Sequence, residues 1–137
     1  VREGRRIDGM YKVIKEDMIN GVRHRDGICR VRFCVDVHAT NKNGAKGYAD
    51  EGIHTKPYDI PLRALIAKDV KGLIIAGRCI SGDFHSHASY RVSGEAGTMG
   101  EAAGVLAAAA VKKGLLPNEV KWDIVSPMFD SKFLPND

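Results

Sequence analysis

Residues 72–114 read GLIIAGRCISGDFHSHASYRVSGEAGTMGEAAGVLAAAAVKKG, and this stretch decides the fold of the chain. It opens with four consecutive apolar residues, 73–76, which are typical of a short strand buried on both faces of a parallel sheet. A turn at Gly77-Arg78 follows, and a polar loop comes after it. The remainder is rich in alanine and glycine. The stretch therefore predicts a strand, a turn, a loop and a long helix.

The predicted helix begins at about Gly94 or Ala96 and ends at Lys113. Gly114 is expected at the first position after the helix, where a left-handed conformation is common and glycine adopts it without strain. Lys112 and Lys113 in the last turn interact favourably with the negative end of the helix dipole. These signals agree with one another, so the C-terminal boundary is better defined by the sequence than the start.

Glycines interrupt the interior of this predicted helix at Gly97, Gly100 and Gly104. Each costs about 1 kcal/mol relative to alanine, so they indicate a face that another backbone or a flat ligand approaches closely. For Gly104 and Ala108, packing under a sheet and approach of a cofactor both stay open. For Gly94 and Gly97 a ligand is favoured, because a helix N-terminus offers unpaired N–H groups and a partial positive charge.

Upstream of this unit the sequence pattern is that of strands. Residues 29–38 alternate between apolar and polar, which predicts a half-buried strand. Residues 58–65 predict a second strand, which Pro57 and Pro61 confine to an edge or a bulge. Residues 15–20 predict one short helical turn that stops at the following glycine. The expected fold class is α/β or α+β, with mostly antiparallel strands before the strand-loop-helix unit.

Composition excludes several classes of function. The 137 residues are 44% hydrophobic and 28% charged, which suits one globular domain. The net charge is +4, but aromatic residues make up only 7% and do not alternate with the arginines, so we expect no nucleic-acid binding. The longest apolar run, 104–111, is far shorter than the ~20 residues that span a bilayer, so we expect no membrane association.

Cys29, Cys34 and Cys79 are the three cysteines, and they show no CxxC spacing. An odd number without that spacing argues against a disulfide framework and against a metal or iron–sulfur site. We therefore expect no metal. The cysteine pattern favours a reducing compartment such as the cytoplasm.

An ordered set of motifs, RExRRIxG, YDIPxRxL, LxxAGRCIS, SYRV and MGEAAG, resembles the C-terminal flavin-binding segment of the bacterial FAD-dependent oxidoreductases over about residues 1–115. The resemblance implies a two-dinucleotide-domain-like flavoprotein fold. Residues 1–68 would then be part of the substrate or cap domain, 69–115 the C-terminal segment of the FAD-binding domain, and 116–137 an extension. It also implies FAD as cofactor and hydride transfer between a small organic substrate and the flavin.

The resemblance implies a set of cofactor-binding residues in the turn and the first helical turns: Gly77, Arg78, Cys79, Ile80, Ser81, Gly94, Gly97, Thr98, Met99 and Gly100. Three further residues are candidate catalytic groups. His85 and His87, expected in the loop before the helix, can act as acid or base. Arg91 can neutralise an anionic substrate or the reduced flavin. The structural alternatives are two loop histidines without a catalytic role and a salt bridge from Arg91 to an acidic neighbour.

The sequence contains no GxGxxG motif after a strand, which is the signature of the ADP-binding half of such flavoproteins. We therefore expect a longer flavoenzyme whose N-terminal dinucleotide-binding half lies outside these residues, so that this piece alone is inactive. Without that half, exposed apolar surface would favour self-association. The alternative is a non-catalytic fragment or interaction module that does not hold FAD alone.

Overall fold

The computed structural model describes residues 5–37 and 52–129, which form a mixed helix and strand structure around one hydrophobic core. The helices are α1 Lys15–Asn20, α2 Phe84–Tyr90, α3 Ser93–Lys113 and α4 Trp122–Val125. The strands are β1 Gly27–Val31 and β2 Tyr58–Pro61. Short 3₁₀ turns cover Leu62–Ala64, Gly77–Cys79, Pro117–Glu119 and Ser126–Met128. Mixed helix and strand is the class that the sequence predicts.

Strands β1 and β2 pair antiparallel, and the pairing is interrupted by a bulge at Ile28. Gly27 lies opposite Pro61, while Cys29 lies opposite Ile60, so two positions of β1 face one step of β2. Proline has no backbone N–H to donate, so a strand containing it is confined to such irregular positions. The expected bulge or edge at this proline is thus confirmed, although β2 ends there instead of extending to residue 65.

The prediction of one strand over residues 29–38 is only partly right, because β1 ends at Val31 and position 38 lies outside the described residues. The backbone after Val31 bonds to helix α2 rather than to a strand. Asp36 N–H donates to the carbonyl of Ala88 at 3.2 Å, and Ser89 Oγ donates to the carbonyl of Phe33 at 2.7 Å. These helix contacts use the groups that a longer strand would need.

The prediction that residues 73–76 form a parallel strand buried on both faces is wrong. They run antiparallel to residues 65–67 through one isolated bridge, Ile66 to Ile74. Ile75 N–H donates to the carbonyl of Leu65 at 2.8 Å, and the connecting turn contains Gly72 at φ 76°. Residues 73–76 are only half-buried. A nearby partner across a short turn therefore replaces the distant partner that a parallel strand requires.

Helix α2 occupies the segment expected to be a polar loop. Asp83 caps it, since its Oδ1 accepts the Ser86 N–H at 2.8 Å, and its Oδ2 accepts the Lys15 N–H at 2.8 Å. Five of the seven residues are buried: Ser86, His87, Ala88, Ser89 and Tyr90. Short helices gain most of their stability from packing, so their sequence pattern alone is a weak signal.

Helix α1 matches its predicted bounds. Gly21 follows it at φ 68° in the left-handed region and ends the helix. Asp17, buried in the first turn, accepts the Ile14 N–H at 3.0 Å and the Tyr11 hydroxyl at 3.0 Å. The aspartate thus closes the N-terminus of the helix and anchors a tyrosine of the preceding segment.

Helix α3 is the longest element, and its sequence prediction is confirmed to within three residues at the start. Gly114 adopts φ 65°. Its N–H donates to the carbonyl of Val111 at 3.1 Å, while the Leu115 N–H donates to that of Ala110 at 3.0 Å. This pair of bonds is the Schellman motif. The buried side of α3 faces the core with five residues: Met99, Ala102, Leu106, Ala109 and Ala110.

Candidate functional site

The glycines of α3 lie on a face away from the core. Gly94, Gly97, Gly100 and Gly104 follow one another at spacings of three and four residues, which places them on one side of the helix. We call this the glycine face. All four are exposed, and a Cβ added to any of them would meet no atom of the described residues within 4 Å. Packing within the described part of the chain therefore does not explain them.

The turn at Gly77–Cys79 lies beside the first turns of α3. A Cβ on Gly77 would come within 3.6 Å of the Ala96 Cβ. Gly77 has φ 73°, a conformation that residues with a side chain rarely adopt. The structure thus brings together the two predicted cofactor-binding segments, which are separated by helix α2 in the sequence. The backbone conformation at position 77 therefore favours glycine, while the distance to Ala96 is an ordinary packing contact.

The predicted cofactor-binding residues divide into exposed and buried groups. Arg78 and Cys79 are exposed in the turn, next to Gly77. Ile80, Ser81 and Met99 are buried, so their side chains belong to the core and only their backbone groups are available to a ligand. The Ser81 backbone is itself occupied: its N–H donates to the carbonyl of residue 64 at 3.0 Å, and its carbonyl accepts from residue 13 at 3.1 Å.

The N-terminus of α3 lacks a capping side chain. Val92 at the cap position is extended, and its own side chain forms no capping hydrogen bond. The first intrahelical bond runs from Ala96 N–H to the Val92 carbonyl at 3.1 Å. The preceding backbone N–H groups therefore have no acceptor within the helix. Thr98 supports this turn locally, since its Oγ1 donates to the Gly94 carbonyl at 3.3 Å.

Arg91 connects the segment after β1 to the junction of α2 and α3. Its Nη2 donates to the backbone carbonyl of Asp36 at 2.6 Å, and the side chain is half-buried. Within the described residues it forms no salt bridge to Asp83 or Glu95, the alternative considered from the sequence. Arg91 therefore keeps its charge uncompensated by any described carboxylate. Sequence reasoning missed the Asp36 carbonyl, because a backbone acceptor leaves no signature in the sequence.

His85 and His87 lie on helix α2, not in the expected loop. His87 is 1% exposed, and its ring makes an edge contact with Tyr90 at 5.7 Å between centroids. His85 is half-buried, with an edge contact to Phe84 at 5.4 Å. Positions two apart on a helix point about 200° apart. The two imidazoles are therefore not brought to a common point.

Burial suppresses the ionisation of the thiol and phenols nearest to the core. It raises the pKa of the Cys29 thiol to about 12, with the nearby Glu95 carboxylate adding to the effect. Burial likewise raises the pKa of the Tyr58 and Tyr90 hydroxyls. Near neutral pH these groups stay protonated. They are structural groups in this environment rather than acid–base candidates.

Asp59 forms a charge cluster that sequence reasoning did not identify. It is 2% exposed on β2, and its two carboxylate oxygens accept from Arg23 Nε and Arg30 Nε, each at 2.9 Å. The His24 N–H adds a third bond at 3.2 Å. A carboxylate within an otherwise apolar segment was the signal available in the sequence. The arrangement stabilises the region before and along β1 and provides no open coordination position.

The described residues form neither a metal-binding cluster nor a membrane-spanning helix. Within residues 5–37 and 52–129, no three His, Cys, Asp or Glu side chains cluster in a way that could hold a metal ion. In the same part of the chain, no helix combines the length and apolar character needed to cross a bilayer.

Comparison with known proteins identifies the family to which the chain belongs. A family model described as FAD dependent oxidoreductase matches residues 1–128. The chain belongs to the FAD-dependent oxidoreductases. No curated protein and no solved structure matches it. The resemblance seen in the motifs is thereby confirmed, and with it the oxidoreductase class and FAD as the cofactor of the family.

Two features of α3 match the requirements of a flavin ring, the cofactor of this family. A flat ring needs a surface without side chains, which the glycine face supplies at Gly94 and Gly97. The electron-rich edge of a flavin needs N–H donors and positive potential, which an uncapped helix N-terminus provides. Arg78 adds an exposed positive charge at the neighbouring turn.

Proposed function

We propose that this chain forms the flavin-ring side of an FAD-dependent oxidoreductase that moves two electrons, as hydride, between a small organic substrate and FAD. One observation carries the proposal. The glycine face is open within the described residues, and Gly77 lies next to Ala96 in the first turns of the same helix. Each helical glycine costs about 1 kcal/mol relative to alanine. A ligand approaching along this face gives a reason for that cost.

The residues divide their roles according to exposure. Gly77, Arg78 and Cys79 border the cofactor at the turn, and the backbone N–H groups at the start of α3 stabilise negative charge on the bound ring. The glycine face allows close approach at Gly94, Gly97 and Gly100. The turn and the helix are held in place by Ile80, Ser81, Thr98 and Met99. Bound FAD supplies the hydride acceptor or donor.

The three candidate catalytic residues have different surroundings. His85 is half-buried and is the candidate for proton transfer with the substrate. Arg91, held by the Asp36 carbonyl, supplies positive charge for an anionic substrate or for the reduced ring. His87 is enclosed by the protein and makes an edge contact with Tyr90 of the same helix, so its role is to stabilise the packing of α2.

We further propose that the ADP end of FAD binds to a dinucleotide-binding segment outside these 137 residues, and that the chain alone is inactive. On this division, residues 1–68 belong to the substrate or cap domain, 69–115 to the FAD-binding domain and 116–137 to an extension. The absence of a GxGxxG motif from the sequence supports this division.

The test compares flavin absorbance of the purified 137-residue chain with that of the protein from the complete reading frame. We expect the complete protein to be yellow, with stoichiometric FAD, and the chain alone to be colourless. A colourless complete protein would contradict the proposed function and favour a non-catalytic interaction module. A yellow 137-residue chain would contradict the proposed division while supporting the flavin site.

A further inference from the structure

An open cleft of about 530 Å³ lies between the segment containing Met10, the 3₁₀ turn after β2 and the segment 117–123. Leu62 and Ile66 contribute buried apolar surface, and Trp122 contributes an indole ring. The volume is within the range of small-molecule sites, ~300–1,000 Å³. None of the residues lining it belongs to Gly77–Cys79 or to α3, so the cleft is separate from the proposed flavin face.

The charged groups at this cleft are paired except for one. Arg63 forms a two-point contact with Asp26, at 2.8 Å and 3.0 Å. Arg25 Nη2 bonds to Asp123 Oδ1 at 2.8 Å. Lys121 is exposed and its ammonium has no partner among the residues that the structure describes. The lining therefore carries one uncompensated positive charge above a mostly apolar wall.

We propose that this cleft binds a small amphipathic monoanion with an aromatic ring, such as an aryl-alkyl carboxylate. The ring lies against the apolar wall near Trp122, and the carboxylate lies at Lys121. Charge complementarity decides the charge of the ligand. A cation is repelled by the Lys121 ammonium, and a dianion carries more negative charge than this single ammonium can balance. The inference is independent of the proposed flavin chemistry, since it depends only on the cleft.

Trp122 makes the test direct, because it is the single tryptophan of the chain and lines the cleft. The 137-residue chain is titrated with 3-phenylpropionate while tryptophan fluorescence is followed. The matched probes are 3-phenylpropan-1-ol, which is neutral, and 3-phenylpropylamine, which is cationic. We expect saturable binding with the carboxylate tightest and the amine weakest. Equal responses to the three probes, or no saturable response to the carboxylate, would overturn the proposal.

The role of Lys121 is tested with Lys121→Gln, which removes the charge at an exposed position. We expect affinity for 3-phenylpropionate to fall about three- to tenfold, the scale of an exposed charge interaction, with affinity for the alcohol unchanged. The matched control is Lys71→Gln, an exposed lysine in the turn before residue 73, which should leave both affinities unchanged. A Lys121→Gln protein that binds the carboxylate as tightly as the parent contradicts the proposal.

Discussion

Arg91 is held by a backbone carbonyl instead of a carboxylate, and this has a measurable consequence. A hydrogen bond from a charged donor contributes about 1.5 kcal/mol or more, so we expect Arg91→Met to lower the free energy of unfolding of the chain by about that amount. Denaturant unfolding measures it. The matched control is Arg78→Met, an exposed arginine, for which we expect a change within about 0.5 kcal/mol. Equal effects of the two variants would show that the hydrogen bond from Arg91 to the backbone carbonyl does not stabilise the fold.

The burial of the Cys29 thiol should make the chain less stable at alkaline pH. The thiol of the unfolded chain ionises near its ordinary pKa of 9.0, whereas burial raises the pKa in the folded chain to about 12. The unfolded state therefore loses its proton first. The contribution of Cys29 is complete below pH 9 and is lost as the pH rises towards 12, at about 1.4 kcal/mol per pH unit.

Urea unfolding at a series of alkaline pH values tests this slope. Cys29→Val keeps an apolar side chain in the core. We expect its free energy of unfolding to fall less steeply with pH than that of the parent. Some slope remains, because the buried tyrosines contribute in both proteins. Cys79→Ser, at an exposed position, serves as the control and should keep the parental slope. A parental slope in the Cys29 variant would show that the burial of this thiol is not what makes the fold sensitive to alkali.

Two glycines, one inside helix α3 and one directly after it, should respond to replacement by alanine in opposite directions. Gly114 has φ 65°, so Gly114→Ala forces a left-handed alanine and should destabilise the chain by about 1 kcal/mol. Gly104 lies in the helix interior, and a Cβ added there meets no described atom within 4 Å, so Gly104→Ala should stabilise by about 0.5–1 kcal/mol. Thermal or denaturant unfolding of both variants tests this. Changes of the same sign would contradict the description of the helix.

The sequence predicted elements well where a local signal fixes both ends. Helix α1 ends at a left-handed glycine, and α3 ends at Gly114 followed by its Schellman bonds, so both boundaries were accessible. Helix α2 was not, because its stability comes from five buried side chains and from Asp83, whose carboxylate also binds Lys15 N–H far away in the chain. The run 73–76 was misassigned because apolarity reports burial but not the direction of the pairing strand.

For the site, too, the sequence predicts local features and not those that depend on contacts between distant segments. The motifs predicted the family, which the family model confirms, and Gly77, whose left-handed backbone conformation favours glycine. The cofactor-binding roles of Gly77, Gly94 and Gly97 stay predictions. The motifs did not give the burial of His87 or the contact of Arg91 with the Asp36 carbonyl, which depend on how α2 packs against the segment after β1. Exposure of individual side chains is decided by tertiary packing, so the sequence could nominate these residues without ranking them.

At the scale of the whole molecule, apolar side chains are exposed around the C-terminal end of α3. Val111 is 83% exposed and Leu115 is 38% exposed. We propose that the isolated chain self-associates through this end of the helix, and size-exclusion chromatography over a range of concentrations measures it. We expect Val111→Glu to shift the chain towards the monomer. Val70→Glu, which charges another exposed valine at 54% exposure, should not. A monomeric parent chain, or equal shifts by both variants, would contradict this proposal.

The central claim is that the glycine face exists to let FAD approach α3, and Gly97→Leu tests it most directly. Leucine forms helices better than glycine, and a Cβ at this position meets no described atom. In the 137-residue chain, we expect this substitution to raise the free energy of unfolding by about 0.5–1 kcal/mol relative to the parent.

FAD retention is then measured for the same substitution in the complete protein. The control is Ala107→Leu, at an exposed position on the same side of α3 but about 15 Å further along the helix, away from its N-terminus. The account predicts that Gly97→Leu lowers FAD affinity at least about tenfold, since a branched side chain would occupy the place of the ring, while Ala107→Leu retains the cofactor. Parental FAD affinity in the Gly97→Leu protein would contradict the account.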